Sequence, residues 1–263
     1  MHRFLLVLLL VAHAVWAEDC PRIVSQSPYI TQALVWLGLE SCIVGVSRYD
    51  ALERPKTGGI LDPDPEAIVR LSPQLLITSN WTPAEVWQRA APPGARTLIV
   101  DGFRGMAGVE AMLREIGRAA GVAGIDERVE RFAADWRTAA ARVGGGGRRV
   151  LILSACGASP YSFGRGTTLF ELFTAAGFEV VADHERIRNF PADRPDEVAA
   201  WIAARRPEFI FALKNRRDEA CNAAIALPGV PILPLDGERF THPGPRLLEG
   251  IEQLRATMEE MPR

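Results

Sequence analysis

The sequence predicts an α/β protein of two lobes, each a small, mostly parallel sheet flanked by helices, joined by one long backbone helix. Three observations lead there. Short apolar runs alternate with segments of helical periodicity along the chain, as in parallel sheets with crossover helices. Residues 126–143, "DERVERFAADWRTAAARV", place Val129, Phe132, Ala133, Trp136, Ala140 and Val143 at steps of three and four. That is an amphipathic helix of ~27 Å at 1.5 Å per residue. "GGGG" at 144–147 breaks it, and the alternation restarts with the strand "RVLILS".

In order, "RIVSQ" reads as the first strand, 31–39 as a helix stopped near Gly38, and "CIVGVS" as the second strand. Asp64 and Pro65 open a short helix, "PEAIVRL", where the missing proline N–H does no harm. "QLLITS", "PAEVWQRA", "TLIVDG" and "GVEAMLREIGRAAG" give strand, helix, strand and helix. After the long helix and "RVLILS", the segments "TLFELFTAAG", "EVVA", "DEVAAWIAAR", "FIFAL" and "VPILPL" follow, and "GPRLLEGIEQLRATMEEM" closes the chain as a helix. The organisation expected is a leader at 1–17, an N-terminal lobe at 18–122, a linking helix and glycine linker at 123–147, and a C-terminal lobe at 148–263.

The leader, "MHRFLLVLLLVAHAVWA", has a basic start, an apolar run and a small residue at Ala17, which marks a secretory signal. Its apolar run is short for a span, and no later run approaches ~20 apolar residues. The residues before Cys20 lack a lipoprotein pattern, so a soluble exported protein is expected. Net charge is −2, which gives no global basic field for nucleic acid. Export makes pairing the default for the four cysteines, Cys20, Cys42, Cys156 and Cys221. Cys20 and Cys42 each precede a strand; if those strands are parallel neighbours, the thiols meet at one edge. Cys156 and Cys221 both follow strands of the second half. The expected bridges are 20–42 and 156–221, the alternative being a Cys156 nucleophile with His184.

In open α/β sheets ligands gather at the carboxyl ends of strands. That rule collects Tyr29, Arg48, Tyr49, Trp81, Phe103 and Arg104 from the first half. From the second it collects Tyr161, Phe163, Arg165, Arg188, Asn189, Phe190, Lys214, Arg216, Arg217, Phe240 and His242. Guanidinium forks match oxyanions and aromatic rings offer flat walls, so the set suits a sizeable anionic ligand with flat surfaces. Enzyme motifs are poor: no G-x-S-x-G elbow, P-loop or H-E-x-x-H occurs. After the leader only His184 and His242 remain, thin for a bare-metal site even with Asp183. Tyr29, Tyr49 and Tyr161 are possible oxygens for a haem iron. Glu66 and Glu197 each sit in the first turn of a helix at equivalent places in the two halves. Dipole stabilisation of ~0.3–1 kcal/mol explains each singly, while the matched placement suggests a pair of acidic knobs on one surface.

On these segments the chain resembles the periplasmic substrate-binding proteins of ABC importers with a helix between lobes, the receptors for vitamin B12, ferric siderophores and haem. The likeness rests on "RIVSQSPYITQALVWLGLESCIVGVSRYD", "DPEAIVRLSPQLLITS", "VLILSACGASPYSFGRGTTLFELFTAAG", "DEVAAWIAARRPEFIFA" and "VPILPL…PGPRLLEGIEQL". It implies a monomeric, non-enzymatic receptor whose ligand sits between lobes that close little, with no cofactor beyond iron or cobalt in the ligand itself. It also implies that Glu66 and Glu197 dock on an inner-membrane permease. Tyr49 falls where the B12 receptor has a cleft tyrosine and Phe190 where it has a tryptophan, but "GGI" at 58–60 replaces its other tryptophan. Together with the cationic loops, this favours an anionic ferric siderophore over cobalamin or haem.

Overall fold

A computed structural model describes residues 20–154, 159–191, 193–214 and 225–261. The leader, Cys156, Cys221, Arg216 and Arg217 lie outside the described residues, and so does the expected 156–221 bridge.

The first sheet is wholly parallel. Strand β1 (Ile23–Ser25) lies between β2 (Ile43–Val46) and β3 (Leu75–Ser79), and β4 (Arg96–Val100) closes the order β2-β1-β3-β4. Its helices are α1 (Pro28–Trp36), α2 (Pro65–Arg70), α3 (Ala84–Ala90) and α4 (Gly105–Ala120). Pro28 and Pro65 stand in the first turns of α1 and α2, and the Asp64 carboxylate accepts from the Ala67 N–H at 3.0 Å. One face of this sheet buries Val24, Ile68, Leu76, Trp87 and Ala90 beneath α2 and α3.

Helix α5 (Ile125–Ala141) buries Val129, Phe132, Ala133, Trp136 and Ala140, the stripe that the spacing predicts, and Val143 is buried just beyond its end. It lies against α4 on one side and against helices of the second half on the other, so one apolar core runs through both halves. The four glycines that follow are a shaped turn: Gly144, Gly146 and Gly147 have φ of +72°, +64° and +69°. A Cβ on Gly145 would lie 2.5 Å from the backbone of Gly177, so no larger residue fits there.

The second sheet runs β10-β9-β5-β6-β8, from strands β5 (Arg149–Ser154), β6 (Tyr161–Phe163), β8 (Ile187–Asn189), β9 (Phe209–Lys214) and β10 (Ile232–Asp236). β7 (Glu179–Val180) also pairs with β5. Helices α6 (Thr168–Ala175), α7 (Pro195–Arg205), α8 (Gly237–Phe240) and α9 (Leu247–Glu259) complete the half. Two pairings, β5 with β6 and β6 with β8, are antiparallel. The sequence reading takes residues 161–163 and 187–189 for loops, because three-residue strands are too short to show alternation.

β1 and β2 are parallel neighbours in register Ile23↔Ile43, which brings Cys20 and Cys42 together in a disulfide with Cα atoms 5.9 Å apart. Cross-linking residues 22 apart removes loop entropy from the unfolded chain worth about 3 kcal/mol. The Cys20→Ser/Cys42→Ser double variant should lose stability of that order, read as a lower urea midpoint with an intact native circular-dichroism spectrum.

Candidate functional site

Two cavities open between elements of the two halves. The first, of about 410 Å³, draws Trp81 from the loop after β3 and Phe103 from the loop after β4. The other half supplies Tyr161 and Phe163 of β6, Ile187 and Asn189 of β8, Thr167 and Thr168 at the start of α6, and Phe240. Among the described lining residues none is charged.

Local hydrogen bonds fix this aromatic wall. The Trp81 backbone N–H donates to the Ser79 hydroxyl at 3.2 Å, and the Thr82 hydroxyl donates to the Ile60 carbonyl at 2.6 Å. The Trp81 and Phe103 rings stack, with centroids 5.0 Å apart and planes 16° from parallel. Tyr29 meets Phe103 edge-on at 5.2 Å from behind. Tyr29 is buried; its hydroxyl donates to the Val100 carbonyl at 3.4 Å, and burial drives the phenol far above its ordinary range. It supports the wall and does not line it. Across the floor, the Thr168 hydroxyl donates to the Gly102 carbonyl at 3.1 Å, and Glu171 accepts from the Met106 N–H at 2.7 Å. The two halves are thereby tied beside the cavity.

The second cavity, of about 870 Å³, lies on the other side of the 240–245 segment. Phe240, Thr241 and Pro243 face the first cavity, while His242, Pro245 and Arg246 face the second. Its remaining walls include Thr31, Gln32 and Trp36 of α1, the Tyr49–Leu52 loop, and Glu238. Asp50 accepts from the Thr31 hydroxyl at 2.7 Å, and burial raises its carboxyl above the ordinary range.

The structure divides the sequence-predicted residues. Trp81, Tyr161, Phe163 and Phe240 line the first cavity together with Phe103 and Asn189; Tyr49 and His242 line the second. Arg48 is paired with Asp62 at 2.5 Å, Arg104 with Asp101 at 2.8 Å, and Arg165 with Glu185 at 3.8 Å. Arg188 lies over the rings of Phe190 and Trp201, at 5.3 and 5.6 Å. None of these four arginines lines either cavity. Phe190 is buried, with its ring 4.9 Å from that of Trp201, so it serves the core. Lys214 ends β9, paired in register with Asp236. Glu66 and Glu197 are exposed in the first turns of α2 and α7, with Arg70 at 3.9 Å and Arg194 at 2.9 Å. His184 holds the Arg186 carbonyl at 2.6 Å and the Ser162 hydroxyl at 3.2 Å. The strand-end rule misses Gln32, Thr167 and Thr168, which sit in or beside helices, and passes over Asp50 beside Tyr49.

No protein-family model matches the chain, and no curated protein matches it in sequence. Solved structures do match. A periplasmic heme-binding protein from Pseudomonas aeruginosa is 22% identical, with TM-score 0.75 over 92% of this chain and 94% of that one. The periplasmic vitamin B12-binding protein BtuF of Vibrio cholerae gives 17% and 0.71 over 91% and 97%. The petrobactin-binding protein YclQ from Bacillus subtilis gives 15% and 0.70 over 92% and 93%. The fold is that of the two-lobed periplasmic binding proteins. The strands of the first sheet lie within residues 23–100 and those of the second within 149–236, and each cavity draws its lining from both halves.

Both described imidazoles are held below their ordinary pKa of 6.5, each chiefly by burial, with Arg246 adding to the effect at His242 and Arg188 at His184. Below 6.5 the unfolded chain therefore binds more protons than the folded one, and their contribution to stability is lost as pH falls through the folded values. The urea midpoint should fall on acidification below pH 6.5, and His242→Gln should make that fall shallower. An unchanged pH slope in the variant would mean that His242 is not part of it.

Proposed function

We propose that the protein is an exported, non-enzymatic receptor that captures a metal chelate with a flat, apolar face between its lobes and hands it to an ABC permease. A tetrapyrrole of the haem type is the ligand class favoured. The observation that carries this reading is the first cavity: Trp81, Phe103, Tyr161, Phe163 and Phe240 surround a space of about 410 Å³ with no charge among its described lining residues. That volume lies within the ~300–1,000 Å³ of small-molecule sites. The solved neighbours are binding proteins for heme, vitamin B12 and petrobactin, which supports a metal-chelate receptor of this fold. An anionic siderophore, favoured by the cationic loops in the sequence, would have to draw Arg48, Arg104 and Arg165 out of their carboxylate pairs. Tyr161, half-buried in the cavity wall, is the oxygen we assign to face a ferric ion. Export to the periplasm rests on the leader.

Haemin titrated into the purified protein should produce a Soret shift and quench tryptophan emission at sub-micromolar concentration. Trp81→Ala and Phe163→Ala should each weaken binding by roughly tenfold or more, from the ~1.5–3 kcal/mol of a buried aromatic side chain. Arg48→Ala and Arg188→Ala should leave it unchanged. Saturation by a ferric catecholate instead, lost in those two arginine variants, would restore the siderophore reading.

Glu66 and Glu197 are assigned to permease docking: exposed carboxylates on helices of opposite halves suit arginines on a membrane partner. Glu66→Arg and Glu197→Arg should abolish uptake in cells while leaving haemin affinity as it is. Full uptake by the double variant would remove the assignment.

A further inference from the structure

The second cavity has a chemistry opposite to the first. Three carboxylates reach it, Asp50, Glu238 and Glu249, against one guanidinium, Arg246. Arg246 stands 3.6 Å from Glu249; Asp50 and Glu238 are the remaining carboxylates of the wall, with Lys56 close to Asp50, its ammonium donating to the Asp50 backbone carbonyl at 2.7 Å. His242 does not offset them. Its Nδ1 accepts from the Gln32 side-chain amide at 3.1 Å, burial favours its neutral form, and Glu238 lies 3.9 Å away. The Gln32 Oε1 beside it is buried with no hydrogen-bond partner among the described residues, an acceptor left over in the wall. Val35, Trp36, Leu52 and Leu248 supply an apolar side, and Tyr49 stands exposed at the mouth.

We propose that this cavity binds an organic ammonium ion, held between the carboxylates of Asp50 and Glu238, which come from opposite lobes, with the Tyr49 ring against its apolar groups. Carboxylates satisfy the charge and N–H donors of such a cation, and the electron-rich face of an aromatic ring attracts its periphery. Among the described residues no three ligating side chains converge as a metal ion would require, so the arrangement suits a diffuse organic charge. Burial already raises the Asp50 carboxyl above its ordinary range, and a bound cation would favour its ionised form. The site is independent of the haem reading, because the 240–245 segment separates the two cavities.

The test is titration of the full mature chain with tetramethylammonium and with spermidine at fixed ionic strength, followed by calorimetry and by tryptophan emission, since Trp36 is in the wall. Benzoate is the anionic control. Saturable binding of at least one ammonium probe is expected, weakened about tenfold or more in Asp50→Asn and in Glu238→Gln, as for loss of a charged hydrogen bond. Trp81→Ala should bind the probe like the native chain. Glu238 is exposed, so its variant remains informative should Asp50→Asn fail to fold. The proposal is overturned by silence of both probes, by equal binding of benzoate, or by affinity unchanged in both carboxylate variants. Haemin is titrated in parallel. Ammonium binding without haemin binding would remove the haem reading and leave this site standing; the reverse would do the opposite.

Discussion

The arrangement of the cleft depends on one buried carboxylate between two helices. Glu110 of α4 is 9% exposed; it accepts from the Trp136 indole N–H at 3.1 Å and from Arg137 at 3.0 Å, both on α5. A buried charge is tolerable only when hydrogen bonds replace its water, and here those bonds come from the helix that joins the halves. α5 also reaches α1. Arg128 donates to the carbonyls of Trp36 and Leu37, and its guanidinium covers the Trp36 ring at 4.5 Å. A cation at a helix C-terminus is favourable in itself. Here it also fixes the end of the helix that presents Gln32 and Trp36 to the second cavity.

A core that continues through α4, α5 and α9 leaves little freedom for the halves to swing apart. Large hinge motion would expose apolar surface at about 25 cal/mol per Å² and strand the hydrogen bonds of Thr168 and Glu171 to the other half. A shared core of this kind favours a cleft that changes little on binding, and affinity would then follow from what already lines it. Preorganised walls lose little entropy on binding, which suits a flat rigid ligand against a stack such as Trp81 on Phe103.

Much of the fold was legible in the sequence because its signals are local or periodic. The α5 stripe repeats at the helical step, and the Cys20–Cys42 bridge follows once two apolar runs are taken as parallel neighbours. The strand-end rule gathered Trp81, Tyr161, Phe163 and Phe240 without any coordinates. What it lacked was the partner of each charge. Asp62, Asp101 and Glu185 stand beside Arg48, Arg104 and Arg165 through turns of the chain, and no spacing in the sequence announces those turns as ion pairs. Phe190 misled for a similar reason: a ring before Pro191 in a loop looks exposed until Trp201 of α7 is seen to cover it. β6 and β8 were hidden by brevity, and their antiparallel pairing turns residues of supposed loops into a wall.

Charge placement therefore separates the ligand classes better than charge count. By composition the loops are rich in arginine, and a reading by count favours an anion. In the folded protein three of those arginines face carboxylates, and Arg188 spreads over two rings. Exposed pairs of this kind are worth ~0–1 kcal/mol each, so a tightly held anion could displace them. It would then have to lie where the guanidinium groups are, outside both cavities, and forgo the aromatic contact that gives the cleft its area. A ligand that uses the first cavity must instead present a face that tolerates five aromatic rings and no counter-charge. Charges that it carries are better placed at its rim, turned toward water. A flat chelate with peripheral carboxylates meets both conditions at once, whereas a compact, highly charged ferric complex meets only the second.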